Sequence, residues 1–140
     1  MKHQKWTKRD PIKNCFPVPN EVFLLGLSPG ELAVYSYLLF CEDRNTYQCW
    51  PSFKTIGKAT GMSTNTVRKY VRMLEERGLI TTEPTSIMKD GQKRNGNLLF
   101  TIRPIQEAVE QFYQQQLENI SLDIQREKAS GTKARQERPA

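Results

Sequence analysis

Residues 61–80 read GMSTNTVRKYVRMLEERGLI, and Thr64, Asn65, Thr66, Arg68, Lys69 and Arg72 form one polar, basic cluster within them. These side chains share a chemistry. An asparagine amide offers a donor and an acceptor together, matching the edge of adenine, and an arginine fork donates two parallel bonds to guanine. Lysine and hydroxyl groups serve phosphates or base edges. To act together they need a helix whose N-terminal half is exposed while its other face is anchored. Val67, Val71 and Leu74 recur at i, i+4 and i+7 and supply that anchor. With them turned inward, Thr64, Asn65, Arg68, Lys69 and Arg72 fall on or near the outward arc. A helix face that is merely solvated has the same composition, so the flanking elements must decide.

Those elements are well marked. Gly61 suits the left-handed residue that closes a preceding helix, Ser63 caps the next, and Gly78 stops it, giving a helix over 63–77. The free amides at the Ser63 end and the helix dipole favour a phosphate, while Glu75 and Glu76 fall two turns away. Upstream, Ser52 caps a helix containing Phe53, Ile56, Gly57 and Ala59; Ser52, Lys54 and Thr55 are candidate phosphate contacts or, for the hydroxyls, plain caps. Ser28-Pro29-Gly30-Glu31 is a capping box with proline at the first helical position. It opens a helix ending near Cys41, with Leu32, Tyr35, Leu38 and Leu39 inward and Ala33, Val34 and Phe40 widening the apolar face.

Before that helix, FPVPNEVFLLG reads as an extended lead-in with a short helical turn, and Val22, Phe23, Leu24 and Leu25 are expected in the core. TYQCWP predicts a short strand stopped by Pro51. After Gly78, LITTEP and LLFTIRP predict two strands of a hairpin. Its long tip, TSIMKDGQKRNGN, holds the turn pairs Asp90-Gly91 and Asn95-Gly96. Lys89, Lys93 and Arg94 in that tip are candidate contacts to the backbone or an adjacent minor groove. Tyr35, Tyr47, Trp50 and Phe100 lie inside expected elements, so core packing is expected of them rather than base stacking.

Helix, short strand, helix, tight turn, helix, hairpin is the layout of a winged helix-turn-helix. LSPGELAVYSYLL…CWPSFKTIGKATGMSTNTVRKYVRMLEERGLI resembles the winged-helix domains of Gram-positive phage, plasmid and mobile-element replication proteins. Its second half is similar to GntR-type and MarR-type regulators. The resemblance covers about residues 16–103. It implies an α+β, mostly α fold with a three-helix core and a β-hairpin wing, to which the apolar pattern beyond residue 103 adds a C-terminal helix. It also implies sequence-specific binding of double-stranded DNA, with helix 63–77 in the major groove and the wing on the backbone or minor groove. Ser63 joins Ser52, Lys54, Thr55, Lys89, Lys93 and Arg94 as an expected phosphate contact. Replication and transcription control both remain open, as do contacts to either machinery.

The rest of the chain fits this organisation. The 140 residues carry a formal charge of +6, which suits a polyanionic partner. Residues 1–15 are read as a flexible basic arm, with Trp6 among Lys5, Lys8 and Arg9, and 127–140 as a disordered basic tail. Between them, 104–126 predicts an amphipathic helix with Ile105, Ala108, Val109, Phe112, Leu117, Ile120 and Ile124 on its apolar stripe. Residues 104–125 are therefore a candidate homodimer surface. Cys15, Cys41 and Cys49 lack CxxC spacing and His3 is the sole histidine, so reduced thiols and no metal or other cofactor are expected. No phosphate-loop glycines, nucleophile–base motif or paired acidic motif points to an enzyme. The sequence lacks a signal segment or a run of about 18 apolar residues, so a cytoplasmic protein off the membrane is expected. The alternative function is a winged-helix protein-interaction module whose basic face is incidental.

Overall fold

Ser28, Ser52 and Ser63 each adopt extended backbone, and each side chain accepts a bond from the backbone N–H three residues on. A serine cap of this kind is worth about 1 kcal/mol and sets where the helix starts. The computed structural model, which describes residues 14–136, places a helix after each cap. They are α1 (Pro29–Cys41), α2 (Phe53–Thr60) and α3 (Thr64–Glu76). A 3-10 turn over Asn20–Leu24 precedes them.

Three strands form an antiparallel sheet: β1 (Gln48–Cys49), β2 (Ile80–Glu83) and, from the far side of the wing, β5 (Leu99–Ile102). β5 lies between the other two, pairing Cys49 with Phe100 and Ile80 with Ile102. The tip between β2 and β5 is itself a ribbon, β3 (Ser86–Lys89) against β4 (Gln92–Asn95). Asp90 and Gly91 join them, both at positive φ, as a two-residue turn matched to strand twist requires. The second expected turn pair serves otherwise: Asn95 ends β4, and Gly96 N–H bonds the Thr85 carbonyl at 2.8 Å. The molecule is thus an α+β, mostly α, winged helix-turn-helix.

The core joins Val34, Tyr35, Leu38 and Leu39 of α1 to Ile56, Val67, Val71, Leu74, Leu79, Ile80 and Phe100. Some apolar residues expected inside lie outside. Val22 and Leu25 are buried, but Phe23 is 78% exposed and Leu24 also faces out. The 3-10 turn superposes residues three apart, so Val22 and Leu25 share the inner side. Phe40 follows Leu39 by one position on α1 and swings out of the core, meeting the rings of Phe16 and Tyr37 instead. Trp50 and Tyr47 are exposed as well, unlike buried Tyr35 and Phe100. Cys49 points inward, and alternation along the strand turns Trp50 outward.

The last helix, α4 (Ile105–Gln136), is longer than expected. No proline interrupts it, and Ser130 and Gly131 do not end it, so it runs ten residues past 126. Its first two turns dock through Ala108, Val109 and Phe112, and Gln111 Nε2 donates to the Glu76 carbonyl at 2.8 Å. From Tyr113 to Gly131 every residue is exposed. Among the described residues no helix is long and apolar enough to cross a membrane. The basic arm, with His3 and Trp6, lies outside the described residues except for Asn14 and Cys15, as do 137–140.

Candidate nucleic-acid interface

Two helices must cross closely before α3 can present its outer face. Gly57 of α2 makes that approach: a Cβ there would run into the Met62 carbonyl oxygen. Gly57's own carbonyl accepts from Gly61 N–H and, at 2.9 Å, from Met62 N–H, while Gly61 takes φ 73°. The turn between α2 and α3 is therefore built from a small residue and a left-handed one. On the other side, Tyr70 packs its ring against Gly30 at the start of α1, where a larger residue would collide.

Val67, Val71 and Leu74 are buried, and Thr64, Asn65, Arg68, Lys69 and Arg72 are exposed, on the arc the helical spacing predicts. Thr66 differs. It is half-buried, its amide donates to Ser63 Oγ at 3.3 Å, and the two hydroxyls lie 2.8 Å apart. At the start of α2 the same pattern repeats, with Ser52 Oγ and Thr55 Oγ1 2.8 Å apart and the Thr55 amide donating to Ser52. Each pair holds two O–H groups and spends one on its neighbour, leaving one donor for an outside acceptor. Both helix N-termini thus combine a free hydroxyl donor with unpaired first-turn amides. Lys54 is exposed beside the first of them.

Two of the three cations of α3 lie over aromatic rings. The Arg68 guanidinium lies 5.5 Å from the centre of the Phe53 ring, and Lys69 Nζ lies 5.5 Å from that of Tyr70. Phe53 in turn meets buried Phe100 edge-on, with ring centres 6.5 Å apart. Glu75 accepts from the backbone N–H of Thr82 at 3.1 Å and from its hydroxyl, so this acid ties α3 to β2. Phe53, Arg68, Arg72, Glu75, Thr82 and Leu98 border a shallow groove between α3 and the wing root. The wing root is pinned where Asn97 Nδ2 donates to the Trp50 carbonyl at 3.1 Å.

Lys89, Lys93 and Arg94 are all exposed on the β3–β4 ribbon but do not share a face. Arg94 pairs with Ile87, and Lys89 with Gln92, on one side; Lys93 pairs with Met88 on the other. Ile87 and Met88 are exposed beside these cations.

One anchoring residue carried no signal in the spacing. Arg77, just past the end of α3, donates Nε to the Glu31 carboxylate at 2.5 Å and Nη1 to the Leu25 carbonyl at 2.8 Å. Glu31, only 1% exposed, also accepts from the Ser28 hydroxyl at 3.0 Å and completes the cap of α1. Burial pushes its carboxyl up, but the bonds from Arg77 and Ser28 outweigh that and hold it below the ordinary 4.5. Its place in a capping box was legible; its long-range partner was not.

Residues 25–80 match the helix-turn-helix domain family, a span running from the end of the 3-10 turn to the start of β2. Among solved structures, the chain is similar to a possible transcriptional regulator of Methanosarcina mazei Go1, at 17% identity and TM-score 0.50, over 73% of this chain and 80% of that one. That likeness is one of fold. A MarR-like transcriptional regulator of Thermotoga maritima shares 18% identity over 89% of this chain and 85% of its own, at TM-score 0.41. A probable transcriptional regulator of Pseudomonas aeruginosa shares 26% over 79% and 78%, at TM-score 0.36. No curated protein matches the sequence.

Proposed function

We propose that this chain is a sequence-specific double-stranded DNA-binding protein that regulates transcription, with α3 in the major groove. The observation that carries this reading is the division of α3. Val67, Val71 and Leu74 are buried on one side, and Thr64, Asn65, Arg68, Lys69 and Arg72 stand free on the other, toward the helix start. A groove about 12 Å wide accepts a helix that presents such an arc. The match of residues 25–80 to a helix-turn-helix domain supports it, as does the fold shared with a protein described as a possible transcriptional regulator.

In this mechanism Arg68 and Asn65 read base edges, with Thr64, Lys69 and Arg72 beside them. Thr66, half-buried and sharing its hydroxyl with Ser63, stands at the edge of this set. Ser52, Thr55 and Lys54 hold one phosphate and the Ser63 end of α3 holds another. Lys89, Lys93 and Arg94 extend along the backbone or into the adjacent minor groove. Because their register divides them between two ribbon faces, either Lys93 or the Lys89–Arg94 pair meets the groove directly. A setting in a phage, plasmid or other mobile element, including a replication-accessory role, rests on the resemblance of LSPGELAVYSYLL alone. The exposed stripe of Tyr113, Leu117, Ile120 and Ile124 supports pairing of two copies through α4.

Selection of bound sequences from a random duplex pool, followed by anisotropy titrations at two salt concentrations, tests the reading. Arg68→Ala should flatten preference at one base pair, costing about 1–3 kcal/mol on the selected site. Lys93→Ala should weaken all duplexes alike and lower the salt slope by about one. A protein that binds no duplex at low salt would instead be an interaction module.

A further inference from the structure

Phe53 has a position that its apolar character alone does not require. It is the first residue of α2, directly after the Ser52 cap, and its ring is only half-buried. One edge rests on Phe100, which is fully buried in β5. The other side carries the Arg68 guanidinium, 5.5 Å from the ring centre. Arg68 has no carboxylate partner among the described residues. Glu75, which borders the same groove, is occupied by Thr82. A ring face accepts no conventional hydrogen bond from the guanidinium, so its N–H donors stay available.

We propose that Phe53 is a positioning residue that sets the base specificity of Arg68. This rests on the DNA-reading role given to α3 above. An exposed arginine samples many rotamers, and ordering it on contact weakens binding. The Phe53 ring holds the guanidinium over the groove before DNA arrives. Because Phe53 adjoins the Ser52–Thr55 phosphate cradle, the same short segment fixes both a backbone contact and the direction of a base-reading side chain. Phosphate docking at α2 thus sets the register from which Arg68 reads.

Phe53→Leu keeps apolar packing on Phe100 and removes the ring face, while Phe53→Tyr keeps both. In the free protein, the Arg68 side-chain resonances should show ring-current shifts that Phe53→Leu abolishes and Phe53→Tyr retains. On the selected DNA site, Phe53→Leu should weaken binding about three- to thirtyfold. Random-duplex affinity and salt slope should be unchanged. Phe53→Tyr should restore the preference, and Phe53→Leu should cost nothing further in an Arg68→Ala background. A Phe53→Leu protein with full base preference overturns the positioning role alone, as does an equal loss on selected and random DNA. A wild-type chain that binds no duplex overturns the DNA-reading role and this inference with it.

Discussion

Arg77→Met tests what holds α3 against α1. The substitution keeps most of the aliphatic stem but strips Glu31 of its cation and the Leu25 carbonyl of a donor. The Glu31 side chain is 1% exposed and would keep only its bonds from Ser28. Removing one member of a buried pair costs about 3–5 kcal/mol. The Arg77 side chain is 29% exposed, so water can reach the stranded carboxylate and the low end, about 3 kcal/mol, applies. For a domain of this size that corresponds to a melting shift of roughly 12–24 °C. Urea unfolding at pH 7 should show a lower midpoint with an unchanged slope.

Acid titration supplies a second, sign-specific check of the same pair. In the native protein the Glu31 carboxyl is held below 4.5, so its contribution is present above that value and fades as pH falls through the lowered one. In Arg77→Met only the Ser28 bonds still oppose burial, so the carboxyl rises from its lowered value and the native variant takes up its proton at a higher pH than the native wild type does. The deficit should therefore narrow between pH 7 and pH 4. Adding Glu31→Gln, which keeps a capping oxygen without the charge, should recover much of the loss. A cost under about 0.5 kcal/mol, or a deficit that does not narrow in acid, would refute the reasoning.

Gly57→Ala drives a methyl into the backbone oxygen of Met62, so unfolding experiments should show a loss of about 1–3 kcal/mol and DNA affinity should fall with it. The Cys49 thiol, pushed up to about 12 mainly by burial, should resist alkylation at pH 8 in the native protein and react in urea, as read by peptide mass. Leu117→Glu with Ile120→Glu alters only exposed positions of α4; sedimentation should show a dimer become a monomer with the melting temperature of the dilute protein little changed. A wild-type monomer, or a variant that stays paired, would remove α4 as the interface.

The three helix starts were legible because capping is local: Ser28, Ser52 and Ser63 act on amides three residues away. So was the outward arc of α3, since Val67, Val71 and Leu74 define its inner side by spacing alone. Burial of individual residues was less legible where regular spacing gave way. A 3-10 turn put Val22 and Leu25 inside and left Phe23 out, and Trp50 turned outward because Cys49 took the core side. The wing's sequence showed its turn and its cations, yet only strand register separates Lys93 from Lys89 and Arg94. Contacts between distant segments left no local trace at all. Arg77 on Glu31 and Arg68 on Phe53 depend on how α1, α2 and α3 cross. Sequence by itself determined the helices, their caps and the chemistry of the exposed arc. Tertiary structure decided which aromatic ring and which carboxylate each arginine meets, because side-chain partners across a fold are set by packing rather than by neighbours in the chain.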